Sequence, residues 1–324
     1  MKILVTGASG FVGQHLLRSL SDHRIVATAH KSALQGLKSR FPDVAFFQVD
    51  VLDSHAVEKL VRETQPDACF HLAGIASVDV FQSHPKECFR TNVEGWLNVL
   101  EAFKKEAPKA VLILISSAQV YGEVPAASLP TTESAPFVPG NFYSVSKASC
   151  EWLAGSYART YGMRIRILRP FNHIGPGQST SFVCSSLAKQ IAQIQAGLIE
   201  PVIHAGNVQS KRDFTDVRDI TRAYALALSK CQDGETYNIC SGKAIAVEEI
   251  LQKCCALAGV KIRVEVDSGL VRDADPKAFY GSFEKFHRAT GWGPEIPLDQ
   301  TLRDTLDYWK KQIRQEGASS HAAV

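Results

Sequence analysis

A strand-like pentapeptide, Lys2-Ile3-Leu4-Val5-Thr6, runs straight into Gly7-Ala8-Ser9-Gly10-Phe11-Val12-Gly13 and then into the helical pattern Leu16, Leu17, Leu20. A glycine triad at this spacing between strand and helix has a mechanical meaning. Gly7 permits a tight turn, Gly10 lets a pyrophosphate approach the backbone, and Gly13 lets the helix pack on the strand. The helix N-terminus around Ser9, Phe11 and Val12 then offers free amides to phosphates. The chain therefore has to open a dinucleotide-binding α/β sheet.

The alternation continues in parallel-sheet style. Strands are predicted over 24–29, 45–49, 68–72 and 110–115, with helices over 54–64 and roughly 86–105. Uninterrupted apolar strands separated by helices mark a doubly wound sheet, with ligands at the strands' carboxyl ends. This puts Asp50 and Val51 and Leu72-Ala73-Gly74 beside the cofactor, with Asp50 set to meet the adenine amino group, while helix 86–105 carries Asn92, a further expected cofactor residue. A free ribose 2′-hydroxyl usually meets an acidic side chain after the second strand. Here stand Ala29, His30, Lys31 and Ser32. With no carboxylate to repel a 2′-phosphate and a cation to attract one, NADP(H) is expected over NAD(H). Lys31 reads equally as a solvated loop charge.

Two further stretches carry chemistry. Ser116-Ser117-Ala118-Gln119 follows the apolar strand 110–115, where a hydroxyl can polarise a substrate carbonyl. A loop with four prolines, 123–140, then leads to Asn141-Phe142-Tyr143-Ser144-Val145-Ser146-Lys147. Tyr143 and Lys147 share one helical face. A free tyrosine, with a pKa of ~10, exchanges protons poorly at neutral pH. A cation ~4 Å away at an effective dielectric of ~20 favours the phenolate by about 4 kcal/mol. The pair suits general acid–base work, although a bare Tyr-x3-Lys is also met on ordinary surface helices.

Beyond strand 164–168 the pattern is less regular: helix 179–198, a charged run Lys211-Arg212-Asp213, a sheet return at 236–240, helix 247–258, strand 261–266 and helix 298–315. We expect residues 1–171 and 213–241 to form the dinucleotide-binding domain. Residues 172–212 and 242–315 would form a smaller substrate lobe, and 316–324 a disordered tail. The 36 basic and 33 acidic residues leave a net charge of +3, which gives no case for nucleic acid or an anionic membrane. No apolar run reaches the ~18 residues of a membrane-spanning helix, and the N-terminus lacks a signal-peptide pattern. The eight cysteines have no metal-ligand spacing and read as reduced thiols of a cytoplasmic protein.

Taken in order, Gly7-x2-Gly10-x2-Gly13, Ser117, Tyr143-x3-Lys147 and Arg169-Pro170-Phe171-Asn172 resemble the extended short-chain dehydrogenase/reductase family. Asn92-Val-Glu-Gly95 and Thr290-Gly291-Trp292-x-Pro294 extend the likeness over nearly the whole chain. The stretch Arg169–Gln178, with Ser181-Phe182-Val183 downstream, is most similar to members that reduce GDP-4-keto-6-deoxyhexoses to GDP-rhamnose. The resemblance implies that Ser117 holds the substrate carbonyl, Tyr143 donates the proton and Lys147 holds the nicotinamide ribose, with Pro170 also at the cofactor. It further implies that Asn172, Val183, Arg212 and Arg272 contact the sugar nucleotide, and that the protein is a homodimer built on helices 86–105 and 143–160. Arg212 also reads as an ion-pair partner of Asp213. Related dehydratases carry an acid after the serine, where this chain has Ala118 and Gln119. Related 3,5-epimerase-reductases add a Cys and a His that are missing here. A dehydratase or 4-epimerase on the same Ser-Tyr-Lys set is the alternative enzyme, and a catalytically silent nucleotide-binding regulator the alternative outside enzymes.

Overall fold

The computed structural model describes residues 1–267 and 278–321. Seven parallel strands make the central sheet, in the order Thr236–Ile239, Arg164–Pro170, Val111–Ile115, Ala68–His71, Lys2–Thr6, Arg24–Thr28 and Ala45–Phe47. The chain runs outward from Lys2–Thr6 in one direction and then crosses back to continue in the other. The crevice beside that strand is where such sheets bind dinucleotides.

The apolar runs follow from the layers. Successive strand residues point to opposite faces, and here both faces are covered. Ile3, Val5, Ile113 and Ile115 pack with Leu16 and Leu17 of helix Phe11–Ser19 and Ile220 and Tyr224 of helix Val217–Lys230. Leu4, Leu112 and Leu114 pack on the other side with helices Ser54–Thr64, Gly95–Glu106 and Phe142–Tyr161, through Leu60, Trp96 and Cys150. A further core joins helices Val183–Gln195, Val247–Ala258 and Leu298–His321, centred on Leu187, Ile250, Leu302 and Leu306.

Several elements differ from the sequence pattern. The helix expected over 86–105 runs through Pro85–Phe89, a π-helical turn Arg90–Glu94 and Gly95–Glu106 in succession, and a separate short helix Val78–Ser83 precedes it. The wide turn carries Asn92, whose carbonyl accepts from the Cys150 thiol at 3.3 Å, and side chains inserted at a helix ladder commonly mark such turns. Helix Val217–Lys230 and the short parallel pair Asn172–Ile174 with Phe214–Asp216 had no counterpart in the expected elements. Phe286 and Trp292, in the stretch assigned to the second lobe, join the core under the central sheet. The last helix continues to His321, past the boundary expected at 315. Among the described residues all eight cysteines are free thiols, and no helix is long and apolar enough to cross a membrane.

Candidate active site

The glycine loop is built by close backbone approach. Gly7 has φ +69°, and a Cβ there would lie 2.6 Å from the Ala73 nitrogen. It therefore serves both the turn and its contact with Leu72-Ala73. A Cβ on Gly13 would meet the Gly7 oxygen and Ala8 Cα at 2.7 Å, so the helix packs onto the loop itself rather than onto the strand. At Gly10 a Cβ would meet the Gly7 oxygen at 3.3 Å and nothing else within 4 Å, which leaves room for a phosphate. Gly10 caps the helix without a side chain. The amides of Phe11, Val12 and Gly13, lacking intrahelical acceptors, suit an anion, and the residues present fit a dinucleotide pyrophosphate.

Thr28 fastens this loop to the second strand, accepting from Gly7 N–H at 3.2 Å through Oγ1 and from Ala8 N–H at 2.9 Å through its carbonyl. Ala29 is buried, while His30 and Lys31 are exposed and open a short 3-10 turn. Asp50 is exposed, and its Oδ1 accepts from Leu52 N–H at 2.9 Å. Val51 is buried against Gly95.

The side chain of Asn92 is bound to protein groups. Its Oδ1 accepts from Ile75 N–H at 2.8 Å, and its Nδ2 donates to Ile75 O and to Ser146 Oγ at 3.1 Å each. Ser146 Oγ in turn donates to the Tyr143 carbonyl at 2.7 Å. Asn92 thus joins the 72–75 loop to the Tyr–Lys helix. Nearby, buried His71 pairs through Nδ1 with Thr6 Oγ1 at 2.9 Å, and Thr6 Oγ1 also accepts from Ala73 N–H at 3.2 Å. Among the described residues His71 Nε2 has no partner. Burial, and then the Lys147 charge, lower the His71 pKa to about 3, so the ring is neutral.

Helix Phe142–Tyr161 begins with a reciprocal cap between Asn141 and Ser144, which fixes the first turn where Tyr143 sits. Tyr143 is buried, edge-on to Phe81 at 5.7 Å. Lys147 Nζ lies 6.0 Å from the Tyr143 ring centroid and donates to the Ile115 carbonyl at 2.9 Å. The ammonium therefore stands at the carboxyl end of the strand that delivers Ser117. Ser117 is also buried, and its Oγ accepts from Gln119 N–H at 3.2 Å. The three residues expected as a set come together at one end of the sheet.

Behind them is a buried polar network that the sequence reading did not find. Arg169 pairs with Glu151 through Nη2–Oε2 at 2.7 Å and donates to Tyr121 Oη at 2.7 Å. Ser116 donates to Glu151, and Tyr121 to Asn238. Ser116, Glu151 and Arg169 thus tie the Ser117 loop, the Tyr–Lys helix and strand Arg164–Pro170 together.

The segment after that strand lies over the glycine loop. Pro170 is buried, His173 stacks on Phe11 with centroids 6.1 Å apart, and His15 Nε2 lies 3.0 Å from the Pro176 carbonyl. Asn172 Nδ2 donates to the Asp213 carbonyl at 3.2 Å. Asp213 is not held as an ion-pair partner of Arg212. Its buried carboxylate accepts from Ser241 N–H and Oγ at 2.7 Å and from Gly242 N–H at 2.9 Å, and burial raises its pKa. Arg212 Nη1 donates to the Lys211 carbonyl at 2.8 Å. Val183 opens its helix half exposed. Arg272 lies outside the described residues.

Sheet, glycine loop and the Ser117–Tyr143–Lys147 grouping define an oxidoreductase of the nicotinamide-dependent, extended short-chain dehydrogenase/reductase type. The chain belongs to the family described as GDP-mannose 4,6 dehydratase, whose model matches residues 4–305. It is 37% identical to a GDP-6-deoxy-D-mannose reductase of Pseudomonas aeruginosa, over 97% of this chain and 99% of that one. It is 29% identical to a dTDP-glucose 4,6-dehydratase of Haemophilus influenzae, over 95% and 98% of the two chains. Among solved structures, RMD of P. aeruginosa complexed with NADPH superimposes with a TM-score of 0.85 at 36% identity, over 96% of this chain and 99% of that one. A UDP-glucose 4-epimerase of Thermotoga maritima with UDP-glucose gives 0.86 at 27% identity, over 97% and 100%. Several reactions thus share the fold, and the site has to distinguish them.

Proposed function

We propose that the chain is an NADPH-preferring reductase of a GDP-4-keto-6-deoxyhexose, acting at C4 to give GDP-rhamnose. One observation carries the choice among reactions. The loop 116–122, Ser-Ser-Ala-Gln-Val-Tyr-Gly, carries no carboxylate of its own, the Glu151 carboxylate that it meets on the Tyr143 helix is paired with Arg169, and Gln119 is bonded to Asn141. That set suffices to reduce a ketone and lacks the acid that dehydration requires. Near-full-length likeness to a GDP-6-deoxy-D-mannose reductase and to an NADPH-bound structure supports substrate and cofactor alike.

When bound, NADPH supplies the hydride that goes to C4. Ser117 Oγ donates to the carbonyl oxygen and holds the ketone in place. Tyr143 gives its proton to that oxygen as the C4 alcohol forms. Lys147, anchored on the Ile115 carbonyl, orients the cofactor ribose and provides positive charge beside the phenol. Lys31 favours the 2′-phosphate, while Asn172, Val183, Arg212 and Arg272 serve the sugar nucleotide.

The protein is proposed to act in the cytoplasm as a homodimer. Its Tyr–Lys helix leaves Phe142, Val145 and Trp152 exposed along one stripe, and Phe89 is exposed at the end of helix Pro85–Phe89. Such a face suits a second copy.

The test is loss of reduced cofactor with GDP-4-keto-6-deoxy-mannose, run with NADPH and NADH, with GDP-mannose as control. The proposal expects oxidation with the keto-sugar alone, faster with NADPH, abolished by Tyr143→Phe and shifted towards NADH by Lys31→Glu. Conversion of GDP-mannose to its 4-keto product without net cofactor change would overturn it.

A further inference from the structure

We propose that Gln119 is a positioning residue, which sets the N-terminus of the Tyr143 helix against the Ser117 loop through a hydrogen bond to the helix cap Asn141. The proposal rests on the reading of Ser117 and Tyr143 as partners at one substrate oxygen. Those two groups reach the site on separate elements. The chain between them is the loop 123–140 with its four prolines, so covalent continuity alone does not fix their spacing. Reacting groups need placement to within a fraction of an ångström, and a misplacement of ~1 Å costs about 100-fold in rate.

A continuous polar path crosses that gap. Ser117 Oγ accepts the Gln119 N–H at 3.2 Å, and Gln119 Oε1 accepts from Asn141 Nδ2 at 3.1 Å. Asn141 Oδ1 accepts the Ser144 N–H at 2.9 Å, and Ser144 Oγ accepts the Asn141 N–H at 3.1 Å. Tyr143 stands inside this cap.

The network orients its own amides. A backbone N–H only donates, so Asn141 must present its oxygen to Ser144 and its NH2 to Gln119. Gln119 must then present its oxygen. Gln119 and Asn141 are both half-buried, where a hydrogen bond competes less with water than on an open surface.

This polarity makes the proposal testable by exchange of acceptors. Gln119→Ala removes the acceptor, whereas Gln119→Glu keeps an oxygen facing the Asn141 NH2. Asn141→Asp keeps the cap and is met by a flipped Gln119 amide. Gln119→Glu combined with Asn141→Asp sets two carboxylates against each other. The readouts are kcat and KM for keto-sugar reduction, and, independently of activity, amide hydrogen exchange over residues 141–147.

Gln119→Ala is expected to lower kcat by roughly tenfold or more with KM within about threefold, and to speed exchange over 141–147. Gln119→Glu should restore most of both, and the double variant should lose more than its two single variants combined. Wild-type kcat and unchanged exchange in Gln119→Ala, or strict additivity in the double variant, would overturn the proposal. A wild-type chain that leaves the keto-sugar untouched would remove the reductase reading instead, and the exchange measurements would still decide the role of Gln119.

Discussion

His71 makes stability depend on pH in a way that one substitution can isolate. The ring lies at the end of strand Ala68–His71, 3% exposed, beside Trp96 at 5.0 Å between centroids. Burial lowers its pKa to about 3, against ~6.5 in an unfolded chain. Between those values the unfolded state binds a proton that the folded state does not. Stability from this residue is therefore complete above pH ~6.5 and is lost as the pH falls towards the folded value. Each full pH unit in that window costs about 1.4 kcal/mol, so going from pH 6.5 to 4.5 removes roughly 2–3 kcal/mol. His71→Asn keeps a polar atom for Thr6 and does not titrate. It leaves a gap beside Trp96 that lowers stability at every pH, but the difference between pH 7 and pH 4.5 is untouched by that gap. Urea unfolding at the two pH values, for wild type and variant, gives the double difference. The expected result is a wild-type loss on acidification larger than the variant's by about 2–3 kcal/mol. His15, whose pKa burial also lowers, contributes to the loss in both proteins and cancels. Equal losses in the two proteins would show that His71 is protonated as easily folded as unfolded, and would refute the argument.

Other substitutions probe the scaffold of the site. Gly7→Ala combines a left-handed backbone with a Cβ 2.6 Å from the Ala73 nitrogen, and should cost about 2–5 kcal/mol in urea unfolding while weakening NADPH binding. Arg169→Met strands the Glu151 carboxylate in the interior and should cost about 3–5 kcal/mol. Adding Glu151→Met should recover much of that loss, and a double variant no more stable than Arg169→Met would count against the pair. Trp152→Glu should shift the protein from dimer to monomer in sedimentation, and an unchanged sedimentation coefficient would remove that helix face from the proposed interface.

The central sheet was legible because its residues obey one rule throughout. Ile3–Val5 and Val111–Ile115 are apolar at every position, which only a strand covered on both faces demands. The Ser117, Tyr143 and Lys147 grouping was legible for a related reason, since each follows a strand or opens a helix whose pattern is clear. Helix Val217–Lys230 could have been found. Asp216 caps it, and Ile220, Ala223, Tyr224, Ala227 and Leu228 recur at helical spacing, although the charged residues Arg218, Asp219 and Arg222 dilute the apolar pattern of its first turns. The Asn92 turn carries no such signal. Its shape depends on Ile75 and Ser146, which are distant in sequence, and only the fold brings them to one amide. The Glu151–Arg169 pair is of the same kind, a long-range bond between residues 18 apart whose burial neither residue type suggests. Asp213 shows the opposite trap. Its neighbour Arg212 is the obvious partner in sequence, yet an extended backbone turns adjacent side chains to opposite faces, and the amides of Ser241 and Gly242 receive the carboxylate.

The most direct test of the account follows an atom. NADPH deuterated at the transferable position of the nicotinamide would be supplied with GDP-4-keto-6-deoxy-mannose, and the sugar product examined by NMR. The account predicts one deuterium at C4 of the 6-deoxyhexose per NADPH consumed, and no product from Tyr143→Phe. Deuterium that stays on the cofactor, or solvent hydrogen at C4 of the product, would contradict direct hydride transfer to the ketone at the Ser117–Tyr143–Lys147 site.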